Sequence, residues 1–220
     1  MNLFITFEGI EGSGKTTQIR LLKKALQKRD YETVTTREPG GTAISDQIRR
    51  VLLNRNNKRM VPLCELFLYE ASRAQHVAEV IRPSLKQKKI VISDRFSDAT
   101  TVYQGMARGF PPRLVSKLNA IATQNLKPDL TIVLDCPIHR GLGRLRKQTR
   151  HLDRIEREKA AFHQKIRAGY LGLAHGQACS RQTCSRQTKR VKVIDGNRPP
   201  KVVHEEILKM VLKRLNRRPL

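Results

Sequence analysis

Gly9-Ile10-Glu11-Gly12-Ser13-Gly14-Lys15-Thr16, followed by Thr17, has the residue types and spacing of a loop that holds phosphate. The stretch fits the pattern G-x-x-x-x-G-K-[ST]. Its glycines let the backbone curl so that successive N–H groups aim at phosphate oxygens. Lys15 then reaches the β and γ phosphates, and the Thr16 hydroxyl can ligate magnesium. Such a loop binds nucleotide, but switches, motors and kinases all share it, so it does not by itself fix a reaction. Glu11 stands out within it. A carboxylate inside an anion-binding loop is repelled by a nucleoside triphosphate, and is expected to point across the loop toward something else.

Three further groups carry chemistry. Thr36-Arg37-Glu38-Pro39-Gly40-Gly41-Thr42 and Asp94-Arg95-Phe96 each follow an expected strand, and Arg73 stands one helical turn after Tyr69. Together they offer guanidinium groups, an acid for magnesium and an aromatic ring around one cleft, the set that a second phosphate-bearing substrate needs. Residues 140–157 pack Arg140, Arg144, Arg146, Lys147, Arg150, Arg154 and Arg157 into eighteen positions. That density is too basic for a core and suits a lid facing phosphate.

These residues need a scaffold that brings strand ends to one edge. Leu3-Phe4-Ile5-Thr6-Phe7 is an apolar, β-prone run, and after the loop Ile19, Leu22, Ala25 and Leu26 recur at helical spacing over residues 17–28. The alternation continues with a strand over 33–36, a helix over 43–53, one long or broken helix over 63–85 and a strand over 89–93. Strands over 130–134 and 191–194 and a last helix over 202–215 complete it. The pattern predicts an α/β domain spanning residues 1–220, with a mostly parallel sheet and helices on both faces. Ligands of such a sheet sit at the carboxyl ends of its strands. Residues 175–190 break the pattern with CSRQT written twice in succession, and read as a lengthened polar loop.

The whole-chain properties bound the function more loosely. Lys and Arg number 44 against 19 acidic residues in 220, a formal charge of +25 that attracts polyanions. The cations are spread over helical stretches as well as the lid, so solvated faces account for them without nucleic acid. The apolar start is too short for a secretory leader, and no run approaches the roughly 20 apolar residues of a membrane span. The chain is therefore expected in the cytoplasm, away from membranes. Cys64, Cys136, Cys179 and Cys184 form no C-x-x-C pair and are expected as reduced thiols.

FEGIEGSGKTT, TREPGGT, ASRAQH, SDRF with TVYQG, and LDRIERE with FHQKIRAGYLGLA, in this order and spacing, resemble the thymidylate kinases of bacteria. The similarity runs over residues 2–174 and resumes at Val191. It implies the P-loop nucleoside monophosphate kinase fold, ATP-dependent phosphorylation of dTMP to dTDP, magnesium, and a homodimer formed through helices such as that over 63–85. By this resemblance Lys15 holds the donor phosphates, Arg37 and Arg95 clamp the acceptor phosphate, and Asp94 with Thr16 holds magnesium. Glu11 takes the 3′-hydroxyl of the acceptor sugar, Tyr69 stacks on thymine, and Arg73 donates to a thymine carbonyl. Thr100 and Thr101 face the polar edge of the base, and Tyr103 packs under the deoxyribose. A cis bond at Glu38-Pro39 is expected to aim Arg37 at the cleft.

Related kinases that carry an arginine inside the phosphate loop have it where this chain has Gly12. The missing cation is therefore expected from the lid, chiefly from Arg154 and next from Arg150, which stand four residues apart on one helix face. Two alternatives remain. Another nucleoside monophosphate kinase with the same sheet is disfavoured by TREPGGT. A basic P-loop protein that binds nucleic acid is disfavoured by the clustering of cations at the lid and by the scarcity of aromatic rings for base stacking.

Overall fold

A computed structural model describes residues 2–146, 152–176 and 189–216. Its centre is a five-stranded, wholly parallel sheet in the order β2-β3-β1-β4-β5, formed by β1 (Leu3–Glu8), β2 (Thr33–Arg37), β3 (Ile90–Asp94), β4 (Leu130–Asp135) and β5 (Val191–Asp195). Every residue of β1 is buried, because both faces of this central strand are covered. Side chains alternate between those faces. Leu3, Ile5 and Phe7 enter one apolar cluster with Leu130, Ile132 and Leu134 of β4, while Phe4 and Val91 enter another on the opposite side.

The first cluster is closed by α1 (Lys15–Gln27) and the last helix, α9 (Pro200–Leu215). Ile19, Leu22 and Leu26 of α1 meet Val203, Ile207, Val211 and Leu215 of α9 at helical spacing. The other face carries α2 (Ala43–Leu53), α3 (Pro62–His76), α6 (Pro112–Thr123) and α8 (Ala160–Ala174), with Ile166, Tyr170 and Leu173 of α8 packing beneath β4.

The helix expected over 63–85 is the broken alternative. α3 ends at His76, a wide π turn runs from Val77 to Ile81, and α4 (Arg82–Lys86) resumes. Pro83 has no N–H to continue the α ladder, and Arg82 donates instead to the carbonyl of Val77. Three helical stretches lie outside the elements expected from periodicity. α6 and α8 are two of them, and the third begins as α5 (Ser97–Thr100) and widens into a π turn over Thr101–Ala107. That wide stretch carries Tyr103 and Gln104, in keeping with the frequent placement of such turns at functional sites. α7 (Ile138–Arg146) opens the lid segment.

The parallel registers set Arg37 of β2 and Phe7 of β1 on either side of Asp94 of β3, and Glu8 beside Val133 of β4. The strand ends that carry the motifs thus share one edge. No described helix is long and apolar enough to cross a membrane. The doubled CSRQT, with Cys179 and Cys184, lies outside the described residues, as do Lys147 and Arg150. Cys64 and Cys136 are free thiols.

Candidate active site

A cavity of about 630 Å³ opens at this edge. Its lining includes Lys15 and Thr16 of the phosphate loop, Arg37, Asp94 and Arg95 from the strand ends, and Tyr69, Thr100 and Tyr103. The phosphate loop and the residues around Tyr69 and Tyr103 therefore share a single space.

The phosphate loop leaves β1 and enters α1 through Gly9, Gly12 and Gly14, all at positive φ. Gly12 has a further constraint. A Cβ there would run into the carbonyl oxygen of Gly141, and a Cβ on Gly141 would stand 2.6 Å from the carbonyl of Glu11. Helix α7 thus packs backbone to backbone on the loop, and Arg144 Nη1 donates to the Gly12 carbonyl at 3.0 Å. Lys15 Nζ donates to the carbonyls of Gly9 and Ile10 at 3.2 and 2.9 Å. Burial, and next the nearby Arg95 guanidinium, lower its ammonium pKa. Ser13 is buried within the loop and Thr17 lines the cavity.

Glu11 does point across the loop. Its Oε1 accepts from Arg95 Nη2 at 2.8 Å and from the Tyr103 hydroxyl at 2.6 Å, while His163 Nδ1 stands 3.7 Å from Oε2. Burial alone would raise this carboxyl, but Arg95, His163, Lys15 and Tyr103 together hold it well below the usual carboxylate range. Oε2 is buried with no hydrogen bond, and Glu11 lines the cavity.

Arg95 adopts a left-handed backbone, φ 73°, uncommon for a residue with a side chain. Its N–H donates to the Phe7 carbonyl and its carbonyl accepts from Ser93 Oγ. Its guanidinium lies over the Tyr103 ring, 5.1 Å from the centroid. Thr16 Oγ1 and Asp94 Oδ2 are 3.4 Å apart, a pair of hard oxygen donors at the mouth of the loop. Among the described residues no three His, Cys, Asp or Glu side chains form a metal cluster. Magnesium does not need one, since it keeps several waters and takes one or two protein oxygens beside substrate phosphates.

The Glu38–Pro39 bond is cis, as expected. Arg37 is half exposed at the mouth and pairs with Asp46 at 3.0 Å. Glu38 points inward and is buried, with Oε2 accepting from Arg73 Nε at 2.8 Å and Oε1 lying 2.9 Å from His76 Nδ1. Arg73 and His76, three apart on α3, thereby pin the turn after β2, and they hold the Glu38 carboxyl low against the effect of burial.

That arrangement changes the reading of Arg73. It is 2 % exposed, does not line the cavity, and spends its guanidinium on Glu38, Glu70, Thr100, Asn119 and the Phe96 carbonyl. Thr101 is also set back, its hydroxyl donating to the Ser97 carbonyl, whereas Thr100, Tyr69 and Tyr103 face the space. Tyr69 is half-buried, and the water its phenol loses there, together with the neighbouring Glu65, raises its pKa.

The structure also places Arg154 away from the phosphate loop. Arg154 Nη2 is 2.6 Å from Glu65 Oε2, Nε donates to the Leu52 carbonyl, and the backbone N–H donates to the Leu53 carbonyl. Buried Glu65 also holds Gln104 and Arg108, so it is a strong anchor. Among the described residues, the lid arginine at the loop is Arg144. Arg49 and Gln104 line the cavity as well, and neither was expected there. Gln104 follows Tyr103 within TVYQG and could have been found from that stretch. Nothing in the types or spacing around Arg49 marks it, because its role depends on α2 leaning over the cis turn, where it donates to the Pro39 carbonyl.

The comparisons with known proteins bear on this site. The family model described as Thymidylate kinase matches residues 7–207. Thymidylate kinase of Geobacter sulfurreducens is 45 % identical over 223 residues, covering 99 % of this chain and all of that one. Thymidylate kinase of Pelobacter propionicus is 48 % identical, with 98 % and 97 % covered. The crystal structure of thymidylate kinase from Ehrlichia chaffeensis superposes with a TM-score of 0.73 at 33 % identity, covering 96 % of this chain and 98 % of that one.

Proposed function

The chain belongs to the thymidylate kinase family, and on that premise we propose that it transfers the γ-phosphoryl group of ATP to the 5′-phosphate of dTMP, giving dTDP. The observation that carries this reading is the single cavity lined both by Lys15 and Thr16 and by Tyr69, Thr100 and Tyr103. A donor's phosphates at the loop and an acceptor nucleotide beyond Arg95 would share that space, with the reacting groups between them. Phosphoryl transfer asks the protein mainly to align the two and to neutralise charge.

The roles follow from chemistry and position. Backbone N–H groups of residues 9–17 and the Lys15 ammonium hold the donor phosphates. Arg37 and Arg95 clamp the acceptor phosphate, since a guanidinium binds phosphate oxygens in pairs. Glu11, which lines the cavity, accepts from the 3′-hydroxyl of the acceptor. Tyr69 stacks on the thymine, Thr100 meets the polar edge of the base, and Tyr103 lies under the deoxyribose. Arg73 supports that pocket from behind, through Thr100 and Glu38. Thr16 and Asp94 would hold magnesium, which when bound supplies charge neutralisation between phosphate oxygens. Arg144 brings the lid's positive charge to the γ-phosphate, and Arg154 adds to it only after leaving Glu65.

We further assign the protein to the cytoplasm as a homodimer. The exposed faces of α2 and α3, which present Ile44, Val51, Leu63 and Phe67, supply an apolar surface for the second copy. Sedimentation showing only monomer would remove that assignment. The test of function is ADP release, measured by a coupled assay, across a panel of nucleoside monophosphates. dTMP is expected to be the best acceptor, with dUMP weaker and UMP much weaker, and CMP or AMP as the best acceptor would overturn the reading.

A further inference from the structure

Arg95 is the residue on which acceptor phosphate and sugar contacts converge, yet its backbone sits in the left-handed region at φ 73°. Such a conformation persists only where the surroundings over-determine it. What holds it is a buried chain that none of the substrate-facing residues explains.

Glu8, the last residue of β1, is fully buried. Its Oε1 accepts from the N–H of Phe96, the residue after Arg95, at 2.8 Å. Its Oε2 accepts from the Tyr170 hydroxyl at 2.7 Å. That same hydroxyl accepts from Arg95 Nη1 at 3.0 Å, and Nη1 also donates to the Gly9 carbonyl at 3.1 Å. One carboxyl therefore grips Arg95 twice, through the main chain just beyond it and through Tyr170 at the tip of its side chain. Nη2 is left for Glu11.

A merely structural tyrosine in α8 needs no polar partner on an arginine 75 positions away, and phenylalanine would fill the same volume. We infer that Tyr170, anchored by Glu8, is a positioning residue that fixes the Arg95 guanidinium in register with the transferring phosphoryl group. This rests on the assignment of Arg95 to the acceptor phosphate. It predicts a loss in turnover more than in affinity, because an untethered guanidinium still attracts phosphate but holds it off line. Misplacement by about 1 Å is typically worth on the order of a hundredfold.

The test is Tyr170→Phe, assayed with whichever nucleoside monophosphate the unmodified protein turns over fastest. An error in the dTMP assignment then appears in the unmodified protein and leaves this test standing. The expected result is a fall in kcat of about tenfold to a hundredfold, KM for ATP within about twofold, and little further loss when Tyr170→Phe is added to Arg95→Lys. If the orphaned Glu8 carboxyl unfolds the single variant, Glu8→Gln combined with Tyr170→Phe keeps an oxygen acceptor for the Phe96 N–H without a buried charge and is read in the same way. An unchanged kcat, or losses that multiply with Arg95→Lys as independent sites do, would overturn the inference.

Discussion

Arg144 Nη1 lies 3.0 Å from the carbonyl of Gly12, so the first lid helix is fastened to the phosphate loop by a cation at the position where the loop itself has no side chain. The contact is possible because Gly12 and Gly141 let the two backbones touch. A cation of the lid thus sits directly against the loop.

It follows that Arg144→Ala is expected to lower kcat by about 10³-fold, the lower range for a cation that stabilises a transferring phosphoryl group. Arg154→Ala is expected to cost far less, since Arg154 is bound to Glu65 and to the Leu52 carbonyl. Single-turnover measurements on both variants check this. The opposite ranking would mean that Arg154 leaves Glu65 during each cycle and that Arg144 only braces the loop.

Gly12→Ala tests the packing itself. The new methyl would meet the Gly141 carbonyl, and φ at this position is 71°. The variant is expected to lose of order 1–3 kcal/mol of stability and to bind ATP more weakly, because α7 must lift from the loop. A melting curve and an ATP titration that match the parent would show that the contact between lid and loop yields freely.

For Glu11→Gln the damage is expected on the acceptor side. Removing the charge leaves Arg95 Nη2 with a neutral partner and weakens the contact assigned to the 3′-hydroxyl. The ratio kcat/KM for dTMP should fall by about a hundredfold, some 3 kcal/mol of lost transition-state stabilisation. KM for ATP should change by no more than about threefold. Equal damage to both substrates would reverse the assignment.

Arg73→Ala separates support from recognition. Its ion pairs with Glu38 and Glu70 are buried, at 2.8 and 2.9 Å. Removing one partner of such a set leaves uncompensated charge and typically costs about 3–5 kcal/mol. The protein is therefore expected to melt markedly earlier. Intact stability with a specific loss of dTMP affinity would return Arg73 to the base.

These cases show where sequence is informative. β1, β3 and β4 were legible because strands covered on both faces are apolar nearly throughout, interrupted here only by the small hydroxyl residues Thr6, Ser93 and Thr131 before their acidic ends, and the phosphate loop because its backbone shape demands glycines at fixed intervals. Glu38, by contrast, belongs to a cluster with Arg73 and His76 that forms only when α3 packs against the turn after β2, and no spacing announces a contact 35 positions apart. The choice between Arg144 and Arg154 was equally hidden. Both are lid arginines by composition, and only the glycine contact at Gly12 and the anchor at Glu65 distinguish them.

Stability is expected to depend on pH through Glu8. Burial, opposed by the nearby Arg95 charge and reinforced by Asp98, pushes the Glu8 carboxyl up to about 8 from an ordinary value of 4.5. A carboxyl whose pKa is higher when folded binds more protons in the folded state between those two values. Its contribution to stability is fully present below about pH 4.5, declines through the interval, and is gone once pH passes about 8. At 1.36 kcal/mol for each pH unit the whole effect is at most about 5 kcal/mol. Glu38 and Asp98, whose pKa values are lowered, act in the opposite sense and lose their contribution as pH falls through their folded values, so the raw stability curve mixes the two. Glu8→Gln isolates the first, because glutamine matches the neutral carboxyl in shape and cannot titrate. The stability of the parent minus that of the variant, from urea melts between pH 5 and 9, is expected to fall steadily as pH rises and to level off above about 8. Parallel curves for the two proteins across that range would mean that Glu8 is ionised in the folded protein throughout.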